Sequence, residues 1–131
     1  MTQPKCRVLC IDDHEDTSEM LQLILAHEDF EVATAVSKQE ALKQAATEQF
    51  DLYVLDRQLP DGSGLDLCKE LSQLTPGVPC IFYTGAAYDI HRSEAFAAGA
   101  DGYVAKPDID KLIDSVKQLL SDRECAAATT T

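Results

Sequence analysis

The chain carries 131 residues, 45% of them hydrophobic, with a formal net charge of −12 and a pI near 4.4. Such a length and apolar content suit one domain that buries most of its unfolded surface and needs neither metal nor disulfides to fold. The negative field repels nucleic-acid phosphates and anionic membranes, and Val8-Leu-Cys-Ile11 is far shorter than a signal h-region or a membrane span of roughly 20 residues, so the sequence reads as cytoplasmic, with no direct nucleic-acid or membrane partner.

Residues 5–11 predict a strand covered on both faces, because Arg7 leads into the apolar run Val-Leu-Cys-Ile, which stops at Asp12-Asp13. A helix follows, with Met20, Leu21, Ile24 and Leu25 at helical spacing, Asp16-Thr-Ser-Glu19 as a capping box and an end near His27-Glu28-Asp29. Phe30 to Ala35 predicts a second strand, and the capping box Ser37-Lys-Gln-Glu40 opens a helix with Ala41, Leu42, Ala45 and Ala46 on one face. Leu52 to Leu55 predicts the third strand, ended by Asp56. Pro60, Asp61, Gly62 and Gly64 then mark a turn that exposes that acid.

Leu65, Leu67, Cys68, Leu71 and Leu74 predict a third helix, stopped at Thr75-Pro-Gly77. Val78 to Tyr83 predicts a strand ending at Thr84-Gly85, and Tyr88 to Ala98 a helix with a thin apolar face of Ile90, Ala95, Phe96 and Ala98, capped by Gly99. Ala100 to Ala105 predicts the fifth strand, ending at Lys106-Pro107. The last helix carries Ile109, Leu112, Ile113, Val116, Leu119 and Leu120, with Asp108 as N-cap. Strands alternating with helices imply right-handed crossovers and a parallel five-stranded sheet covered on both faces, an α/β three-layer (βα)5 doubly wound sandwich. The five scattered cysteines (Cys6, Cys10, Cys68, Cys80, Cys125) lack C-x-x-C pairs and nearby histidines, and read as reduced core filler plus one tail thiol.

Four strands end in a residue capable of chemistry: Asp12-Asp13, Asp56, Thr84 and Lys106. In open parallel sheets that edge binds ligands, at the point where strand order reverses. Three carboxylates brought together repel unless a cation intervenes. All-oxygen ligation with an open shell suits Mg²⁺. Acid, divalent ion, hydroxyl and ammonium together match phosphoryl transfer, with Asp56 as nucleophile forming an acyl phosphate.

The ordered set Cys10-Ile-Asp-Asp13, Asp56-Arg-Gln-Leu-Pro-Asp-Gly-Ser-Gly64, Thr84-Gly85 and Gly102-Tyr-Val-Ala-Lys-Pro107 resembles the receiver domain of two-component response regulators, of the chemotaxis-regulator type. The resemblance covers about residues 5–120. It implies the flavodoxin-like strand order 2-1-3-4-5 and divides the chain into an N-terminal extension at 1–4, a receiver domain at 5–121 and a tail at 122–131. It further implies that Asp56 accepts a phosphoryl group from a histidine kinase or histidine phosphotransfer protein, with Thr84 and Lys106 acting on that group. Asp13, Asp56 and the backbone carbonyl of Gln58 would hold Mg²⁺, or Mn²⁺ in its place, with Asp12 acting partly through water. Lys106-Pro107 would be a cis bond. Tyr103 would be an aromatic switch that turns inward as Thr84 moves, changing the surface of the fourth helix, fifth strand and fifth helix for a downstream protein target or a phosphorylation-dependent homodimer. Arg57 and Asp108 stand where the family often has apolar residues, and Gln58 and Ala86 stand where it sets acyl phosphate lifetime.

His14, His27 and His91 do not gather in the sequence and read as surface residues, His14 alone lying near enough to the acid pair to tune access. A haloacid-dehalogenase-like phosphatase also uses an Asp nucleophile with Mg²⁺, but needs an acid two residues later, where Gln58 stands. A flavodoxin-like cofactor binder would offer amides and hydroxyls after the first strand; Asp12-Asp-His-Glu-Asp16 offers negative charge. A pseudo-receiver would lack part of the site, and all five residues are present. The expectation is thus a regulator rather than an enzyme, limited to self-catalysed phosphoryl transfer and autodephosphorylation. With no output segment following in this sequence, its effect is expected to pass through a partner protein, whether the receiver stands alone or was cut from a longer chain.

Overall fold

A computed structural model describes residues 6–85 and 89–121. The expected extension at 1–4, the tail at 122–131 with Cys125, and Lys5, Ala86 and Tyr88 lie outside the described residues. Five parallel strands, β1 (Arg7–Ile11), β2 (Glu31–Ala35), β3 (Leu52–Leu55), β4 (Cys80–Thr84) and β5 (Gly102–Ala105), form one sheet in the order β2-β1-β3-β4-β5. Helices α1 (Glu15–His27), α2 (Lys38–Thr47), α3 (Gly64–Leu74), α4 (Asp89–Ala97) and α5 (Ile109–Ser121) connect and follow them. The predicted three-layer sandwich and its strand order are both present.

Side chains alternate across the strands as the pleat requires, and two apolar cores result. Leu9, Ile11, Tyr53, Leu55, Phe82 and Tyr103 face the layer containing Ala41 and Ala45 of α2, Leu67 and Leu71 of α3, and Ala95 of α4. Val8, Cys10, Leu52, Val54, Ile81 and Val104 face Leu21 and Leu25 of α1 and Leu112, Val116 and Leu120 of α5. Burial on both faces explains why the strands read as unbroken apolar runs. Two half-buried ladder-like contacts come from acids: Asp51 Oδ2 accepts from the Arg7 N–H at 2.8 Å, and Asp101 Oδ2 from the Cys80 N–H at 3.0 Å.

Several local expectations need correction. α1 starts at Glu15 with His14 as an N-cap whose side chain makes no bond to the helix, so Asp16 is not the cap; Ser18, the third residue of the supposed capping box, is buried and its hydroxyl lies 3.3 Å from the Asp12 carbonyl it donates to. Met20, Leu74 and Phe96 are exposed rather than core, and the Arg92 guanidinium lies over the Phe96 ring at 5.6 Å. The turn after β3 contains a short antiparallel pair, Gln58–Leu59 with Gly62–Ser63. Cys10, Cys68 and Cys80 are buried free thiols, as expected of filler. Cys6 departs from that expectation: it is disulfide-bonded, and it stands half-buried before β1, outside the fully covered interior. The caps at Ser37 and Asp108 hold: Ser37 Oγ accepts from the Glu40 N–H at 3.1 Å and Asp108 Oδ1 from that of Lys111 at 3.2 Å.

Candidate functional site

The sheet register decides which side chains meet. Ile11 pairs with Leu55, so the next residues on β1 and β3, Asp12 and Asp56, emerge side by side; the Asp56 N–H donates to the Ile11 carbonyl at 3.0 Å. Thr84 pairs with Ala105, and the Lys106 N–H donates to the Thr84 carbonyl at 2.9 Å. All four therefore arrive at the carboxyl edge of the sheet, where order reverses between β1 and β3. Lys106-Pro107 is a cis peptide bond.

Lys106 joins the acids. Its Nζ lies 2.7 Å from Asp12 Oδ2 and 3.2 Å from Asp56 Oδ2. Burial works against its charge, but the bond to Asp12 and the charges of Asp56 and Asp12 prevail and hold its pKa above the ordinary lysine range. Asp12, Asp56 and Thr84 are buried, whereas Asp13 is exposed. Beside them opens a cavity of about 830 Å³ whose walls include Asp13, Asp56, Gln58, Thr84 and Lys106. Nine-tenths of the Asp56 side chain is covered, yet it reaches that cavity.

Every described residue singled out for the phosphoryl and metal chemistry gathers here, with Asp12 behind the cavity wall. Tyr103 lies apart, buried and stacked on Phe82 at 6.2 Å between ring centroids. Its hydroxyl is buried without a hydrogen-bond partner among the described residues.

Three residues outside that set also contribute, His14 being the one the sequence had placed near the acid pair. His14 is 69% exposed but is drawn into the acid cluster, its Nδ1 2.9 Å from Asp12 Oδ1 and 3.3 Å from Asp13 Oδ1. The bond to Asp12, then the charges of Asp12 and Asp13, hold its pKa above the ordinary histidine range. Its place directly after the acid pair was the only signal. His91 and Arg57 also line the cavity, and Arg57 reaches α4, a contact no local pattern announces.

A divalent cation fits these residues. Donor atoms of Asp12, Asp13, His14 and Asp56 lie within 4.8 Å of one another, and three carboxylates face the single ammonium of Lys106, leaving negative charge for a cation to neutralise. Beneath the site the Cys10 thiol is pushed up to about 12, by burial first and Asp12 second, and stays protonated.

The comparisons agree with this geometry. A family model described as the response regulator receiver domain matches residues 8–117. The chain is 35% identical over 122 residues to the alkaline phosphatase synthesis transcriptional regulatory protein PhoP of Bacillus subtilis, covering 92% of this chain and 51% of that protein. It is 30% identical over 115 residues to the response regulator ArlR of Staphylococcus aureus, covering 87% and 52%. The chain thus spans about half the length of these curated relatives. Among solved structures it resembles a CheY-like receiver domain protein from Methanospirillum hungatei, with a TM-score of 0.86, 32% identity and coverage of 91% and 96%. It also resembles TrrA from Thermotoga maritima, solved in complex with Mg²⁺ and BeF, with a TM-score of 0.80, 35% identity and coverage of 88% and 99%. With the register that brings Asp12, Asp56, Thr84 and Lys106 to one edge, the matched span makes this chain a member of the response regulator receiver family.

Proposed function

We propose that the chain is a phosphoacceptor: Asp56 takes a phosphoryl group from a histidine kinase or histidine phosphotransfer protein, and the surface built by α4, β5 and α5 then changes for a downstream protein target. The observation that carries this reading is the Lys106 ammonium held between Asp12 and Asp56 at the wall of an acid-lined cavity. An Asp56 carboxylate oxygen attacks phosphorus, an O–P bond forms and the N–P bond of the donor phosphohistidine breaks, its electron pair leaving with the imidazole, which takes a proton. Asp56 accepts the N–H of Arg57 through Oδ1 at 2.7 Å, so its plane is fixed before attack. Lys106 is already within reach of the oxygens that gain charge, and the Thr84 hydroxyl, at the end of the neighbouring strand β4, is the donor for a phosphoryl oxygen. Asp12, Asp13, Asp56 and the Gln58 carbonyl would hold Mg²⁺ or Mn²⁺, which supplies charge neutralisation on the transferring group.

Tyr103 is already inward on Phe82, so under this reading phosphorylation selects that position rather than creating it. The chemistry stays on the chain's own aspartate and ends with hydrolysis of the acyl phosphate; no acid stands at Gln58 to make it a turnover phosphatase. Incubation with Mg²⁺ and a small acyl or amido phosphate should add one phosphoryl group by intact mass, and none to Asp56→Asn. An unmodified wild type, or an equally modified variant, would overturn the assignment.

A further inference from the structure

Arg57 joins two parts of the molecule that the acceptor chemistry alone leaves separate. Its backbone follows Asp56, but its guanidinium runs to α4, with Nη2 3.1 Å from Glu94 Oε1 and Nη1 3.5 Å from the His91 carbonyl. Only 17% of the Arg57 side chain is exposed, and it shares its cavity wall with Asp56, Thr84 and Lys106. Glu94 is 45% exposed, so its ion pair with Arg57 is solvated and weak. α4 is itself lightly held: among residues 91–97 only Ala95 is buried, the pattern of an element that opens easily.

A phosphoryl group on Asp56 would bring close to two negative charges and three acceptor oxygens one residue from Arg57. A guanidinium matches that group with a planar fork, and charge-assisted bonds to phosphate are stronger than a solvated pair with a carboxylate. We propose that Arg57 is a phosphoryl-binding residue which moves its guanidinium from Glu94 to the group on Asp56 and thereby unties α4. This rests on the phosphoacceptor reading. It gives α4 a charge-driven link to the acceptor, separate from Thr84 and Tyr103.

The test uses fluoroberyllate with Mg²⁺ as a non-covalent stand-in for the phosphoryl group, with hydrogen exchange over residues 91–97 as the second readout. Arg57→Gln should weaken fluoroberyllate binding about tenfold, the worth of a charge-assisted bond, and Arg57→Lys, which keeps charge without the fork, should fall between. Glu94→Gln removes the competitor and should tighten binding about two- to threefold, while the double variant should bind like Arg57→Gln alone. In the wild type, exchange in α4 should quicken on loading; in Glu94→Gln it should be quick before loading and change little. Wild-type affinity in both Arg57 variants, with phosphoryl uptake on Asp56 intact, would overturn this inference and leave the acceptor reading standing. A wild type that takes up no phosphoryl group would overturn both.

Discussion

At Gly64 the space for a side chain is missing. A Cβ there would fall well inside contact distance of the Asp56 carbonyl oxygen and 3.0 Å from the Arg57 Cα, and the Gly64 N–H donates to the Arg57 carbonyl at 2.7 Å. The glycine does not let the turn swing away from Asp56, as its place in a turn motif suggests; it lets the start of α3 press against the acceptor's own backbone. Gly64→Ala should therefore destabilise the fold by about 1–3 kcal/mol, the range for an overpacked site, and slow phosphoryl uptake by displacing Asp56. A denaturant midpoint equal to wild type would sink the idea. The same residue-scale reading separates what the sequence discloses from what it conceals. Asp12, Asp56, Thr84 and Lys106 were legible because each ends an apolar run, and a run's end needs no tertiary knowledge. Arg57 with Glu94 was not, because 37 residues separate partners joined by neither period nor motif.

Between elements, Asp61 has a role its turn position hides. Its Oδ1 accepts from the Lys38 N–H at 2.8 Å and its Oδ2 from that of Gln39 at 2.9 Å, so the turn after β3 supplies the anion at the start of α2 while Ser37 serves Glu40. The capping box at Ser37 was visible in four consecutive residues; the second cap comes from 23 residues away and was not. Helices whose apolar positions repeat densely were placed to within a residue or two, α5 and α3 among them, but Met20, Leu74 and Phe96, each at the edge of an apolar face, are exposed. The amides of Gln39, then Lys38, hold the Asp61 carboxyl below the usual carboxylate range. A depressed folded pKa means that this stabilisation is complete above the unfolded value of about 3.9 and is lost as pH falls through the folded value. Asp61→Asn should lower Tm by a few degrees at neutral pH, and the gap to wild type should close as pH falls below that of an ordinary carboxylate. A gap that stays constant down to acid pH would show that the charge of Asp61 contributes nothing.

Part of the net charge of −12 sits where the molecule can least disperse it, with Asp12, Asp13 and Asp56 sharing one sheet edge against Lys106. Two effects of added salt can be told apart on that basis. Monovalent ions screen the long-range repulsion of the whole surface, with a Debye length of about 10 Å at 0.1 M, and should raise Tm gradually in every variant. A divalent ion binding the acid cluster stabilises by mass action instead, by about 2.7 kcal/mol at a hundredfold excess over its Kd, and saturates. Titration with MgCl₂ against NaCl at matched ionic strength should therefore show an additional, saturable rise in Tm for the wild type. Asp13→Asn removes one exposed carboxylate from the cluster without touching the Lys106 contacts, so it should keep the screening response and lose most of the saturable one. Equal responses to the two salts in the wild type would mean that the edge holds no divalent ion, and that Lys106 and His14 answer the charge of the acids.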